Sequence, residues 1–459
     1  MKVLFIIPPS PDRKNIIRAA DCSHEAKARY LWQPNDYIII SSLLDSRDEA
    51  VLIDGTAAKL SYVNFLLRCG DVRGDMIFFL LSSVCWQSDF AMFSEVRKLF
   101  PHTPFYTLGD IFFEHAYREV ILELCSGIVF QPYVLDLQKM KNGTYDLPGV
   151  WTNPALARAA AENFLPNKKP LVIKSNPPRH EIFLNRRYLF PFAHRFRYAT
   201  ITAAWGCPFT CTYCTNAHTP PVVRSFHDIL RELRILQDKD ITELVFADKV
   251  FGYPKKNSTM LLKKMNEFFN FSWSCYFHPQ LYSPELLTLM HKAGCHTIII
   301  GIDSMNLQNL TLFRRKVTYD KLNKLLMHAR ALKIQVCGDF IIGLPHETQA
   351  DAEYTLSAAA DLDIDFASFN IASPLPGSCI RDHLREKGLL QHSAEGYGTG
   401  GMFNIAGSDH IDSKTLLKMK KKAVRRFYLK PSRIIRICRS IVSPEHLLIQ
   451  LLQFTGLFR

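Results

Sequence analysis

The sequence lacks any apolar stretch that approaches the ~20 residues a helix needs to span a bilayer. It also lacks the layout of a signal peptide, because Met1 to Phe5 start a strand pattern directly. Together these absences predict a cytoplasmic protein. Charged residues are few, 22% against 47% hydrophobic, so a chain of 459 residues can bury the cores of two or three domains.

Signs of a disulfide framework and of hydrolytic chemistry are also missing. Apart from three that lie close together, the twelve cysteines are scattered, mostly in apolar runs, which predicts reduced thiols. No Ser/His/Asp arrangement and no carboxylate pair stands out, so the sequence does not indicate a hydrolase. Catalytic acids or bases remain unassigned; Tyr276, His278 and His296, near expected strand ends, are candidates.

Acidic residues are absent from one stretch, Ser413 to Ser440, which carries eleven Lys and Arg. This stretch supplies most of the net charge of +13. Three interpretations stay open: a contact with an anionic membrane surface, a contact with nucleic acid, or a solvated helix face. We favour the membrane surface over nucleic acid, because no RNA-binding module accompanies the charge.

The chain divides into four parts by pattern. Residues 1–135 alternate short β-branched runs with helix-length patterns, which predicts a doubly wound parallel sheet. Residues 136–197 are rich in proline and predict a linker. Residues 198–394 contain six strand–helix units, too few for an eight-stranded barrel, and residues 395–459 predict a basic helical region.

Three cysteines lie within eight residues, Cys207, Cys211 and Cys214, in a C-x3-C-x2-C pattern. Three thiolates can hold a 4Fe–4S cube by three of its irons and leave the fourth iron open to a small molecule. The alternative is a zinc site of these cysteines and His218. Zinc modules usually pair a short knuckle with distant ligands, whereas these candidates all lie in one segment.

With an aromatic residue before its third cysteine, the motif resembles that of the radical S-adenosylmethionine (SAM) enzymes. The resemblance implies an open six-stranded partial barrel, and an open iron that is chelated by the amino and carboxylate groups of SAM. It also implies that electron transfer cleaves SAM to methionine and a 5′-deoxyadenosyl radical, which takes hydrogen from carbon. An external one-electron donor such as flavodoxin or ferredoxin is then needed.

The resemblance extends to short elements that follow the expected barrel strands. It implies a SAM site formed by Tyr213, Asp248, Gly301, Asp303, Ser304 and Gly343. Two positions depart from the family pattern: Asp303 stands where glutamate is usual, and His346 stands where glycine is usual. For Asp248, helix or loop capping is an equally good interpretation, and Glu347 and Thr348 suit the first turn of a helix.

A doubly wound domain before such a barrel resembles the cobalamin-binding domain of class B radical SAM enzymes. The resemblance implies cobalamin contacts at Ser82, Ser83 and Gly109. The chain has no Asp-x-His-x-x-Gly motif, and Asp110 replaces the second glycine of the usual pair. The alternative is a domain that has kept its fold without the ligand.

In this class, the chain most resembles the group of the anaerobic Mg-protoporphyrin ester cyclase and the hopanoid-modifying enzymes. That implies a large apolar substrate, a lipid or a tetrapyrrole, and either C-methylation or oxidation and cyclisation. Two other functions stay open: a cobalamin-independent radical SAM enzyme with a structural first domain, and a non-enzymatic metal-binding module.

Overall fold

The computed structural model describes residues 1–144, 147–152, 171–185, 187–219, 221–390, 396–397 and 406–457. Within these residues, two six-stranded sheets with covering helices follow one another, accompanied by one three-stranded and one two-stranded sheet. This is the α/β architecture that the sequence predicts.

The first sheet has the order β4–β1–β5–β6–β7–β8, with all neighbours parallel except the antiparallel pair β7 and β8. The strands of this half are β1 (Lys2–Ile7), β2 (Ile16–Ile17), β3 (His24–Glu25), β4 (Glu49–Asp54), β5 (Met76–Leu80), β6 (Phe105–Leu108), β7 (Gly127–Val129) and β8 (Val150–Trp151). Its helices are α1 (Asn35–Ser41), α2 (Tyr62–Gly70), α3 (Trp86–Leu99), α4 (His115–Leu122) and α5 (Leu137–Lys141).

Continuous apolar runs place this sheet between two helical layers. In β1, Leu4 and Ile6 pack with residues of α2, α3 and α4, whereas Val3 and Phe5 pack with residues of α1 and α5. Burial on both faces is why the strand is uniformly apolar instead of alternating.

The second sheet has the order β10–β13–β14–β15–β16–β17 and is parallel throughout. The strands from residue 171 onward are β9 (Leu171–Ile173), β10 (Ala199–Ile201), β11 (Ala204–Trp205), β12 (Val222–Arg224), β13 (Glu243–Phe251), β14 (Ser272–Phe277), β15 (Cys295–Asp303), β16 (Gln335–Ile342) and β17 (Phe366–Ile371). Its helices are α6 (Phe226–Asp238), α7 (Lys255–Phe268), α8 (Pro284–Lys292), α9 (Leu307–Leu312), α10 (Tyr319–Ala331), α11 (Gln349–Asp361) and α12 (Cys379–Glu386). Six parallel strands in sequential order agree with the partial barrel that the resemblance implies.

The segment expected to be a linker contributes strands to both halves. β8 joins the first sheet beside β7, and β9 pairs in parallel with β12 next to the second. Both strands are short, two and three residues, and prolines surround them. A run this short is too brief to show the periodicity by which a strand is predicted from sequence.

Residues 18–34 lie between the two sheets. The ammonium of Lys27 donates to the hydroxyl of Ser368, 2.8 Å away, and to the side-chain oxygen of Asn370, both on β17. The indole of Trp32 packs on Tyr276 of β14 with ring centroids 6.1 Å apart. Two separate sheets are therefore joined by side chains of the first half that reach into the second.

Three helices close the described chain: α13 (Ser413–Tyr428), α14 (Pro431–Arg439) and α15 (Pro444–Leu457). Much of the basic stretch is used within the molecule. Arg433 donates to the carbonyl of Leu362, and Arg436 pairs with Asp363 at 2.6 Å and with Asp365 at 2.8 Å. Among the described helices, none is both long enough and apolar enough to cross a membrane.

Candidate functional site

The three clustered cysteines lie in a loop that follows β10 and β11, at the carboxyl end of the second sheet. Gly206 begins the loop at φ +77°, a left-handed conformation that favours glycine. The amide of Cys207 donates to the carbonyl of Thr219 at 3.3 Å, and the amide of Cys214 donates to that of Cys211 at 3.1 Å. These bonds close the loop on itself and gather the three cysteines.

Burial raises the pKa of all three cysteine thiols, that of Cys207 to about 12. The Arg315 guanidinium acts in the opposite direction on the pKa of Cys211, whose sulfur lies 3.8 Å from the Nη1 atom. A bound metal would replace the thiol protons, because the thiolate is the ligating form.

The three sulfurs are not drawn together as the ligands of a single zinc ion would be. In the described residues, two groups of three potential ligands have atoms within 4.8 Å of one another, and the cysteine trio is not one of them. Sulfurs around one tetrahedral zinc lie roughly 3.8 Å apart, given Zn–S bonds of about 2.3 Å. The side chain of His218, the fourth candidate for zinc, lies outside the described residues.

Four residues of the candidate site lie around the guanidinium of Arg315, namely Cys211, Tyr213, Gly301 and Asp303. Its Nε lies 2.5 Å from Oδ2 of Asp303, and its Nη2 donates to the carbonyl of Gly301. The hydroxyl of Tyr213 donates to the same Asp303 oxygen at 2.6 Å. Three predicted SAM residues and the sulfur of Cys211, a predicted cluster ligand, therefore meet at one point. The sequence offers no motif around Arg315, and only the fold brings it here.

Asp248 is buried on β13, and its carboxylate is hydrogen-bonded to the main chain. Its two oxygens accept from the amides of Ala203, at 2.7 Å, and Ala204, at 3.0 Å. Burial raises the pKa of Asp248 to about 7. The carboxylate thus holds the backbone at Ala203 and Ala204, which leads into the cysteine loop.

The remaining SAM positions, Ser304 and Gly343, lie in two turns at the same end of the sheet. Buried Ser304 accepts from the amide of Asn306 at 3.1 Å. Gly343 has φ +78°, and its amide donates to Glu347 at 2.6 Å. Thr348 caps α11, in line with the expected helix turn. His346 also has φ +67°, which explains why glycine is the usual residue at its position.

The structure separates the three candidates for proton transfer. His278 contacts the cysteine loop, because its ring stacks on Phe209 with centroids 3.8 Å apart and planes 19° apart. Its buried Nε2 has no hydrogen-bond partner, and burial lowers the pKa of His278 to about 2. Tyr276 packs against Trp32, and His296 lies at the opposite, amino end of β15.

The expected cobalamin residues lie where predicted, beyond the carboxyl ends of β5 and β6. The Ser82 hydroxyl donates to Asp89 at 2.8 Å, and the Ser83 hydroxyl donates to Asp110 at 2.7 Å. A Cβ at Gly109 would lie 2.0 Å from the carbonyl oxygen of Leu81, so the strands need glycine there. Asp110, in place of the second glycine, holds the serine turn.

A buried ion pair bridges the same edge. Arg18 binds both carboxylate oxygens of Asp89, at 2.9 and 2.7 Å, and both side chains are fully buried. Its Nη1 donates to Ser10 at 3.2 Å and to Thr56 at 2.8 Å, which follow β1 and β4. Arg18 therefore connects the ends of two strands with helix α3.

Residues 204–359 match the family model of the radical SAM superfamily. An uncharacterized methyltransferase of Pyrococcus horikoshii is 29% identical over 245 residues, 52% of this chain and 53% of that protein. The bacteriochlorophyllide d C-12(1)-methyltransferase of Chlorobaculum tepidum is 25% identical over 235 residues, 48% of this chain and 49% of that protein. The chain thus spans about half the length of these curated relatives.

Two solved structures have the same fold over most of the chain. The radical SAM methyltransferase TsrM from Kitasatospora setae, with cobalamin and a 4Fe–4S cluster bound, superposes with a TM-score of 0.63 at 15% identity, covering 85% of this chain and 79% of that one. The cobalamin-dependent radical SAM enzyme OxsB gives a TM-score of 0.64 at 13% identity, covering 98% and 70%.

Proposed function

From the match of residues 204–359 to the radical SAM superfamily, we propose that the chain methylates an unactivated carbon of a small molecule. The observation that carries the proposal is the cysteine loop, with Tyr213, Asp303 and Arg315 gathered beside Cys211. The methyltransferases among its relatives and its likeness in fold to TsrM support methylation as the outcome. Oxidation or cyclisation of the substrate is the other outcome open to the same chemistry.

Cys207, Cys211 and Cys214 would hold three irons of a 4Fe–4S cluster. When bound and reduced by an external donor, such a cluster would supply the electron for cleavage of SAM to methionine and a 5′-deoxyadenosyl radical. The chain's own contribution is ligation and exclusion of water. Arg315 places a positive charge beside one sulfur, and the ring pair of Phe209 and His278 packs against the loop.

We propose that SAM is held by Tyr213, Asp248, Gly301, Asp303, Ser304 and Gly343. Asp303 and Arg315 offer opposite charges, which match the amino and carboxylate groups of SAM. Asp248 would act through the main chain, since its oxygens hold the amides of Ala203 and Ala204.

Cobalamin, when bound, would supply the methyl carrier, and the fold shared with TsrM and OxsB supports its presence at the first sheet. The positions of Ser82, Ser83 and Gly109 suit such a ligand. Both hydroxyls donate to carboxylates of the chain, so toward cobalamin they would act only as hydrogen-bond acceptors.

The Arg18–Asp89 pair favours a second candidate function, a radical SAM enzyme that works without cobalamin. A fully buried pair with three hydroxyl partners, Ser10, Thr56 and Ser82, stabilises the first sheet without any ligand. In this case the first domain serves as a scaffold whose residues 18–34 contact the second sheet.

Anaerobic reconstitution with iron, sulfide, SAM and hydroxocobalamin distinguishes the candidates. We expect one 4Fe–4S cluster per chain, formation of 5′-deoxyadenosine after reduction, and cobalamin that stays bound through desalting. Deoxyadenosine without retained cobalamin would support the second candidate instead. Protein that carries a cluster but never cleaves SAM would contradict both, and would leave only a metal-binding module.

We also propose that the substrate is large and apolar, a lipid or tetrapyrrole, and that the C-terminal helices touch an anionic membrane. Five exposed cations of α13 share one surface: Lys418, Lys421, Lys422, Arg425 and Arg426. On α15, Leu447, Leu448 and Leu451 are 42–51% exposed. Basic charge beside exposed leucines is typical of helices that lie on bilayers.

Sedimentation with phosphatidylglycerol vesicles tests this contact. We expect the protein to pellet with these vesicles several-fold more than with phosphatidylcholine vesicles, because the cations attract the anionic headgroups. Leu448→Asp with Leu451→Asp should reduce the pelleted fraction, whereas Leu312→Asp, an exposed leucine of α9, should not. Equal recovery with both lipids would contradict the proposal.

A further inference from the structure

Two histidines and a glutamate meet at the end of the second sheet that is opposite the cysteine loop. Glu243 is the first residue of β13, His296 is the second residue of β15, and His194 lies shortly before β10. One ligand atom from each of the three lies within 4.8 Å of those of the others. Because strand amino ends in (β/α) architectures serve stability more than catalysis, this group is independent of the SAM chemistry.

The contacts among these residues leave ligating atoms free. Glu243 is fully buried; its Oε1 accepts from the amide of His194 at 3.1 Å and lies 3.0 Å from Nε2 of His296. Its second oxygen, Oε2, is buried beside Ser272 and makes no hydrogen bond of ordinary geometry. The Nε2 of His194 is likewise buried, beside Gln335, and makes no hydrogen bond of ordinary geometry. Unmade hydrogen bonds of buried polar atoms are costly and call for a ligand.

The two imidazoles are stacked face to face, and burial keeps them in their neutral form. Their ring centroids are 3.7 Å apart with an angle of 24° between the planes. Burial lowers the pKa of both His194 and His296 to about 3, and it raises the pKa of Glu243 to about 7. Neutral imidazole is the form that binds metal, and a divalent cation would favour the ionised carboxylate.

A third histidine comes from the C-terminal helix. His446 of α15 is buried, and its ring centroid lies 4.2 Å from that of His194. The nearby cation Arg195 pairs with Glu445 of the same helix at 3.8 Å. The group therefore lies where the last helix docks on the sheet.

The other group with metal-ligand spacing has no such free atoms. Asp409 accepts from His383 at 2.7 Å and from His346 at 2.9 Å, one imidazole on each carboxylate oxygen. The His346 side chain is 57% exposed. These contacts form a surface ion-pair network that is complete in itself.

We propose that His194, Glu243 and His296 bind a divalent cation of the zinc class. Two imidazoles and one carboxylate are typical zinc ligands and leave a fourth position, next to which His446 packs on His194. The ion would tie together β13, β15 and the segment before β10 on which α15 packs. Its role is structural, and it is separate from the iron–sulfur cluster.

The test is titration of the full chain with zinc chloride alone. A parent variant with Cys207→Ser, Cys211→Ser and Cys214→Ser keeps zinc from the clustered thiols. We expect this parent to bind one zinc per chain with a Kd below about 1 μM, typical of structural zinc, and to gain thermal stability from it. Adding Glu243→Gln, which keeps the side chain's shape, should weaken zinc binding by more than about 100-fold, beyond the losses seen for outer-shell partners.

His383→Ala in the same parent is the matched control, because it removes a histidine from the complete network and should leave zinc binding unchanged. Near-ultraviolet circular dichroism shows whether each variant is folded; if Glu243→Gln does not fold, His296→Gln takes its place. A parent that binds no zinc, a Glu243→Gln variant that binds it as tightly as the parent, or loss of zinc with His383→Ala would each overturn the proposal.

Discussion

Replacing Cys211 with alanine is expected to lower 5′-deoxyadenosine formation by more than about 100-fold, the upper range for loss of a mere outer-shell partner. Cys211 is the most buried of the three clustered cysteines and the one in contact with Arg315. Without it, two thiolates remain to hold the cluster, and the guanidinium loses its sulfur partner. Iron, acid-labile sulfide and deoxyadenosine are measured on anaerobically reconstituted protein.

Cys379→Ala is the matched control for this experiment. Cys379 is also a partly buried thiol, and its amide donates to the carbonyl of Thr212 within the cysteine loop at 3.1 Å. Its side chain is not part of the motif, so iron content and SAM cleavage should stay at the level of the unmodified protein. A Cys211→Ala protein that retained both would contradict the assignment of the cluster.

Replacing Arg18 with methionine is expected to lower the free energy of unfolding of the first half by about 3–5 kcal/mol, because it leaves Asp89 as an uncompensated buried charge. Both side chains have no solvent exposure. The hydroxyls of Ser10 and Thr56 lose a donor at the same time. Urea denaturation, followed by tryptophan fluorescence, measures the change.

Two further variants distinguish the effect of losing the buried ion pair from the effect of removing any charged side chain. Asp89→Asn added to Arg18→Met should recover part of the loss, since the amide is neutral and still accepts from Ser82. Lys98→Ala breaks the exposed pair with Glu95 on the same helix α3, which should cost about 0.5 kcal/mol or less. If Arg18→Met unfolds at the same urea concentration as Lys98→Ala, the buried pair does not stabilise the sheet.

Local patterns in the sequence are sufficient for the features that depend on neighbouring residues. The strands of the first sheet are continuous apolar runs, such as the fully buried Met76–Leu80, because helices cover both faces. The cysteine motif is equally local: Cys207, Cys211 and Cys214 are close in the chain before they are close in space. For these reasons the fold class and the grouping of the three cysteines in one loop are predictable from the sequence.

Features that depend on distant partners are not predictable in this way. Arg315 reaches Cys211 across 104 positions, and Arg18 reaches Asp89 across 71. Neither arginine belongs to a periodic pattern or a motif. The amino-acid composition of the basic C-terminal stretch does not predict its contacts either. Arg433 and Arg436 bind carbonyls and carboxylates that follow α11.

The position of Lys27 bears on how the molecule can be divided. Its ammonium ends among polar side chains of the second sheet although its backbone belongs to the first half, and burial lowers the pKa of Lys27. A truncated chain that lacks the first half would therefore lose a side chain that covers the second sheet. Ser368 and Asn370 would then face water. Exchanging the first half with that of a relative would likewise replace a side chain that binds polar groups of the second sheet.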